Sequence, residues 1–591
     1  MKATLFKEVG YSLSKLLQDI EAGEIGLPDI QRPFIWKPAR VRDLFDSMYK
    51  GFPVGYLLFW ANGGGNGHRQ IGADAKQVVP RLLIVDGQQR LTSLFAVLKD
   101  RPVLREDYTQ LPISIAFRPR DAKFEVTDAA IRKDPEYIPD ISVLWREGVS
   151  EYHFISDFIA NLRRHREVDK EDEGHLAASI DRLYDIQNYP FTALELSSTV
   201  DEEQVSDVFV RINSQGVTLN QADFILTLMS VFWDEGRSDL EQFCRAARQP
   251  SLQGSSSFNH FILPSPDQLL RVSMALGFRR ARLEHVYSLL RGKDLDSGVF
   301  SADRRAAQFA TFIPAQAYVL DNVNWHEFFK CLVRAGFRGS AMVNSQVALL
   351  YSYALFLIGK RDFGVAPEPL REIIAQWFFM STLTQRYSAS PETAMEADLA
   401  RLRQARTGTD FVAVLAAIIS DNFTDDFWAI TLPNQLATSA ARSPALFAYH
   451  AALNLLDAKV LFSKLKVSEL LDPSVRSAKA ALERHHLFAR GYLRSIGVTD
   501  IREVNQIANF ALVEWEDNVE ISDRPPAEYV PEHEARLSSA ELDQMRYWHA
   551  LPAGWQHLPY PTFLAKRRHL MAQVIRDGFR RLHPAASGSL E

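Results

Sequence analysis

Cysteine is almost missing from this chain. The two present, Cys244 and Cys331, are too few for a disulfide framework, and their spacing fits no zinc motif. A reducing cytoplasm is the compartment that suits such usage. Also missing is any apolar run of the roughly 20 residues needed to span a bilayer. The most apolar stretches, Val347–Ile358 and Phe411–Ile419, are shorter and flanked by polar residues, so they read as buried helices and no membrane partner is expected. The opening MKATLFKEVGYSLSKLL is interrupted by charge too early to read as a signal peptide. No positive surplus exists either: 67 Lys and Arg stand against 73 Asp and Glu, a net charge of −6. A polyanion partner must therefore be met by local basic patches and not by a global field. Residues 231–440 show no repeat of fixed period.

What is present is globular composition, 47% hydrophobic and 24% charged over 591 residues, which excludes wholesale disorder and implies several cores. Residues 1–230 mix apolar runs bounded by Gly, Pro or Asp with helical patterns. Leu57–Trp60 and Leu82–Val85 read as strands, and Val41–Tyr49 and Leu91–Leu98 as helices, which is α+β texture. Asn62–His68 and Arg166–Gly174 read as loops, the first glycine-rich and the second charged. Residues 231–440 predict an all-helical connecting region, with periodic stretches at Gln268–Leu276, Val347–Ile358, Leu370–Leu383 and Asp410–Ile419. Residues 441–591 hold a His-, Asn- and Asp-rich segment, Glu483–Tyr529, and end in a basic amphipathic stretch, Phe563–Leu582, read as a closing helix with an ordinary exposed face.

Two constellations carry chemistry. In Leu82-Leu-Ile-Val-Asp86-Gly87-Gln88-Gln89-Arg90 a buried strand turns sharply at Gly87 into a helix. The first turn of that helix carries two amides and a guanidinium. Free helix N–H groups and an arginine fork can hold phosphate oxygens, and Asp86 can hold a metal or orient a water. The same pieces also read as plain structure, with Asp86 capping the helix and Arg90 paired with a nearby acid. Farther on, Leu482-Glu-Arg-His485-His486 ends a short strand, and Asn505-Gln-Ile-Ala-Asn509 leads through a second strand to Asn518 at a helix-like segment. A neutral imidazole can deprotonate water, and a divalent cation can hold a scissile phosphate. Two strands and a helix around one cation are the parts of a ββα-metal nuclease.

At Leu27-Pro-Asp-Ile-Gln31-Arg32-Pro33, at Asp86–Arg90 and at Val208-Phe209-Val-Arg211-Ile212-Asn213-Ser-Gln-Gly216, the chain resembles the N-terminal domain of GmrSD-type, modification-dependent (type IV) restriction endonucleases. That resemblance implies a ParB/sulfiredoxin-like fold with a DGQQR motif. It assigns nucleoside triphosphate (GTP, UTP or ATP) binding to Gln31, Arg32, Gly87, Gln88, Gln89 and Arg90, a catalytic role to Asp86, and a part in the site to Arg211, Asn213 and Gly216. Ile30 replaces the aromatic that many members place before the Gln-Arg pair. The C-terminal segment resembles the HNH nuclease domain that ends such proteins. It implies His486 as general base, His485 and Asn518 as metal ligands, and Asn509 as the structural asparagine. His485 stands where many HNH sites have aspartate, so Mn²⁺, Ni²⁺ or Zn²⁺ is accommodated as well as Mg²⁺. Ala489 replaces the common proline. Arg484, Arg490 and Arg494 are candidates for DNA phosphates.

The expected fold is thus an α+β ParB/sulfiredoxin-like domain (1–230), an all-helical connector (231–440) and a C-terminal ββα-metal (HNH) nuclease embedded in helices (441–591). The expected activity is nucleotide-regulated, metal-dependent cleavage of modified double-stranded DNA in phage defence, by a cytoplasmic protein that can work as a homodimer. The competing reading is a nucleotide-dependent DNA-binding regulator with a degenerate nuclease domain.

Overall fold

Ser12 closes one element and opens the next. It ends strand β1 (Phe6–Ser12), and its hydroxyl accepts from the Lys15 backbone N–H at 3.3 Å to cap helix α1 (Leu13–Glu21). Leu13, Leu16, Leu17 and Ile20 then recur at helical spacing and are buried. The computed structural model describes residues 5–583 except 27–33, 35, 62–80, 106–108, 147, 198–224, 227–228, 230–232, 294–300 and 474–481. The chain divides into two compact units, Met1–Ser238 and Asp239–Glu591.

In the first unit β1 joins β2 (Ile25–Gly26), β3 (Leu57–Ala61), β4 (Leu82–Asp86) and β5 (Pro190–Leu196) in one sheet of order β1-β5-β3-β4-β2. Pairing is mixed. β5 runs antiparallel to β1 and parallel to β3, while β4 is antiparallel to β3 and parallel to β2. Strand alternation sends Leu57, Phe59, Leu82, Ile84, Phe191 and Ala193 into the main core and Leu58, Val85 and Leu196 to the opposite face. Helices α2 (Pro38–Tyr49) and α3 (Gln88–Leu98) cover the main core with Val41, Phe45, Leu91 and Leu94. The β3–β4 register shifts between Leu58 and Phe59, opposite the end of β4, which sets the direction in which Asp86 leaves the sheet.

The charged stretch Arg166–Gly174, expected as a loop, is a correction. Helix α4 (Glu151–Leu162) precedes it and helix α5 (Lys170–Tyr184) begins inside it. Asp169 accepts from the Asp172 N–H, and Glu171, Asp172 and Glu173 complement the positive end of the helix dipole. The acids that suggested solvated loop are a helix start. Asn62–His68 lies outside the described residues.

In the second unit the expected helices are present and run past their apolar stretches to their caps: Pro266–Phe278, Gln346–Arg361, Pro367–Leu383 and Gly408–Asn422. Ser345 caps the second through the Ala348 N–H, and Thr407 with Asp410 forms a reciprocal capping box on the last. Trp325 and Trp377 sit in this core fully buried. The same unit contains strands β6 (Leu482–His486) and β7 (Phe510–Glu514), helices α6 (Trp515–Ile521) and α7 (Pro526–Glu534), and the closing helix α8 (Tyr560–Arg580). No described helix is long and apolar enough to cross a membrane. Cys244 and Cys331 are free and buried, and burial pushes both thiols upward.

Candidate functional site

β6 and β7 pair antiparallel, with His485 opposite Ala511 and His486 opposite Phe510, and α6 follows β7 directly. Adjacent strand residues point to opposite faces, so the two imidazoles meet different surroundings. His485 is buried, 3% exposed, and its Nδ1 lies 2.8 Å from Asn518 Oδ1 on α6. Its Nε2 is buried with no hydrogen-bond partner. Burial pulls its pKa down to about 4, against the smaller opposing effect of the Asn518 bond. The ring is neutral at pH 7, the form that donates a lone pair to a cation. The His485–Asn518 separation is that of an N–H···O hydrogen bond, with the amide oxygen accepting from Nδ1.

His486 is half-buried, its ring 4.5 Å from that of Phe510 across the strand pair. Its Nε2 lies 2.9 Å from Asn505 Oδ1. An amide oxygen only accepts, so Nε2 carries the proton and Nδ1 keeps its lone pair. Burial lowers this pKa too, ahead of repulsion by Arg490, and the Asn505 bond raises it. Asn509, fully buried, ties the turn behind the histidines: Oδ1 accepts from Phe488 N–H at 2.9 Å, and Nδ2 donates to Phe488 O at 3.1 Å and Val504 O at 3.0 Å. Tyr529 Oη donates to Leu487 O at 2.6 Å from α7. Arg490 and Arg494 are exposed on the short helix Arg490–Ser495; the Arg484 side chain lies outside the described residues.

The basic closing helix is only partly the exposed face expected. Arg567 on α8 is fully buried, donating from Nη1 to Ala508 O at 2.7 Å and from Nε to His549 O at 3.2 Å. One of its guanidinium nitrogens thus grips the residue preceding Asn509.

At the front turn, Gly87 has φ +97° and a Cβ there would lie 2.4 Å from Leu57 Cδ2, so glycine is required. No side chain caps α3, so Asp86 does not play the capping part. Asp86 instead receives Arg90 Nη2 at 3.1 Å, and the same guanidinium donates to Val54 O at 2.6 Å and Tyr56 O at 2.7 Å. Gly55, also at positive φ, leaves the room: a Cβ there would be 2.6 Å from Arg90 Nη1. Arg90 therefore clamps the Gly51–Gly55 loop onto α3. Gln88 and Gln89 are half-buried in the first turn. Gln31, Arg32, Ile30, Arg211, Asn213 and Gly216 lie outside the described residues.

Residues 13–230 match the family model for the GmrSD restriction endonuclease, N-terminal domain. The GmrSD-type match covers the described sheet from α1 through β5 and includes the Asp86–Arg90 turn. Over 558 residues the chain is 21% identical to an uncharacterized protein of Methanocaldococcus jannaschii, covering 88% of this chain and 86% of that one. The similarity thus extends well beyond the GmrSD-type region.

Sequence reasoning gave no role to Asn505, although it stands four residues before Asn509. Its link to His486 exists only once the second strand doubles back. It also passed over Phe52 and Tyr56, 57% and 63% exposed beside the Arg90 clamp. A large aromatic following a glycine-bounded turn was the available signal.

Proposed function

We propose that this chain is a nucleotide-regulated, divalent-cation-dependent DNA endonuclease of restriction type, acting on modified DNA. In this reading the GmrSD-like front unit has a ParB/sulfiredoxin-like fold that senses nucleotide and DNA modification, and an HNH-type ββα element cuts. The family match over residues 13–230 supports the restriction role and DNA as substrate. The observation that carries the cutting reading is the pair of His–Asn contacts made from one strand, His485 with Asn518 on α6 and His486 with Asn505 ahead of β7.

In this reading Asn505 orients the His486 ring, and His486 Nδ1 takes the proton from the attacking water. The resulting hydroxide forms a bond to phosphorus as the P–O bond to the leaving oxygen breaks. With the ring proton moved to Nε2, His485 Nδ1 and Asn518 Oδ1 would hold the divalent cation in place of their mutual hydrogen bond, Mg²⁺ or Mn²⁺ with Ni²⁺ and Zn²⁺ also suited to the imidazole. When bound, such an ion supplies charge stabilisation to the phosphate and leaving oxygen. Asn509 and Arg567 keep the intervening turn rigid, and Arg490 and Arg494 meet backbone phosphates. At the front, the α3 N-terminus with Gln88 and Gln89 contacts nucleotide phosphates. Phe52 and Tyr56 offer faces on which a base can stack. Arg90 acts through the loop it clamps, and Asp86 through Arg90.

The test is cleavage of matched DNA duplexes differing only in cytosine modification, with and without GTP, UTP and ATP. The reading predicts cation-dependent cutting that favours one modified duplex and changes with one nucleotide. Intact DNA in every combination, with nucleotide-dependent DNA binding retained, returns the regulator reading.

A further inference from the structure

Beside the His485–Asn518 pair lies a second group of metal-ligating side chains with no part in the mechanism above. Asp517 and Glu520 stand three residues apart on α6 and so share one face. His533 comes from α7. One ligand atom from each of the three lies within 4.8 Å of the others. His533 is 0% exposed, and neither ring nitrogen has a hydrogen-bond partner. Phe462 stacks on the ring at 4.8 Å, and Tyr529 lies edge-on at 6.2 Å, which fixes the plane in which its nitrogens point. Nδ1 faces Asp517 Oδ1 at 3.8 Å, too far for a hydrogen bond.

A buried imidazole with both nitrogens unpaired is costly, because each forgoes the hydrogen bond it made with water. A cation between the ring and the carboxylates would meet one of the two nitrogens. Local charge agrees: α6 carries Glu516, Asp517 and Glu520 with no base. Arg536 is the counter-ion present, 2.8 Å from Glu520 and 3.7 Å from Asp517. It approaches from the exposed side and leaves the His533 nitrogens unmet.

We propose that Asp517, Glu520 and His533 form a second divalent-cation site, selective for a first-row transition ion, that ties α6 to α7. One imidazole and two carboxylates suit Mn²⁺, Co²⁺, Ni²⁺ or Zn²⁺ better than Ca²⁺. The bound ion fixes the helix that carries Asn518, one residue from Asp517, and so sets the partner of His485.

The test is equilibrium dialysis of the full-length chain, stripped by chelator, against Zn²⁺, with metal counted by elemental analysis. In an Asn518→Ala background, which breaks the His485–Asn518 pair, the proposal predicts one Zn²⁺ per chain. Adding Glu520→Gln, at an exposed position, or Asp517→Asn to that background weakens Zn²⁺ binding at least tenfold. Zn²⁺ also raises the unfolding midpoint of Asn518→Ala but not of Asn518→Ala combined with Glu520→Gln. Absence of a bound Zn²⁺ in Asn518→Ala, or one held equally after Glu520→Gln and after Asp517→Asn, overturns it. None of these readouts involves DNA cutting, so failure of the nuclease reading leaves the second site standing, and the reverse.

Discussion

Asn505 contributes a single acceptor, and that acceptor decides which nitrogen of His486 is basic. Because the Asn505 bond raises the His486 pKa while burial lowers it, removing the bond moves the pKa further down. A general base must be neutral, so cutting rises with pH through a pKa lying below the usual histidine value of about 6.5. Asn505→Ala is expected to shift that rise to lower pH and to reduce the plateau rate about tenfold, the worth of one lost hydrogen bond. KM stays near wild type. A pH–rate profile of both proteins checks it. Asn509 is different in kind, since its three bonds satisfy buried backbone groups of Phe488 and Val504. Asn509→Ala should destabilise the chain by about 2–4 kcal/mol, read as a lower denaturant midpoint.

At the scale of the element, the β4–α3 turn depends on two glycines and one guanidinium. Gly87→Ala meets Leu57 and a left-handed φ together, and a loss of about 1–3 kcal/mol in thermal or denaturant unfolding is expected. The strands and helices here were legible because apolar runs ended at Gly, Pro and capping Ser or Thr residues, each a local signal. Arg166–Gly174 was misread because the acids that stabilise a helix start have the composition of a solvated loop. The pairing of His485 with Asn518 was legible through the HNH resemblance. His486 with Asn505 was not, because that contact is made by strand register and not by spacing. Arg567 looked like one of a row of surface bases, and only the packing of α8 against the Ala508 carbonyl distinguishes it. His533 carried no motif at all: its meaning lies in the two carboxylates that α6 brings to it.

Across the whole molecule, two buried histidines govern acid stability. Burial lowers His485 and His549 to about 4 from 6.5. Their folded pKa values lie below the unfolded ones, so the unfolded chain binds protons first as pH falls. Stability is therefore full above about 6.5 and declines toward pH 4, by up to about 3 kcal/mol per ring. Denaturant midpoints of the metal-free chain at pH 7.5 and 4.5 should show the decline, and His549→Gln should flatten it. A midpoint independent of pH contradicts this assignment. With a net charge of −6, the proposed DNA contact would fall on a local basic patch. Binding should weaken with salt along a slope set by a few phosphates.

The central claim is that an imidazole at position 486 activates water beside a cation held by His485 and Asn518. Its most direct test is nicking of a cytosine-modified supercoiled plasmid in Mn²⁺ by wild type and His486→Ala, with unfolding midpoints measured on both. The account predicts a loss of about 10²–10⁴ in rate with the midpoint nearly unchanged. A His486→Ala protein that nicks at the wild-type rate contradicts it.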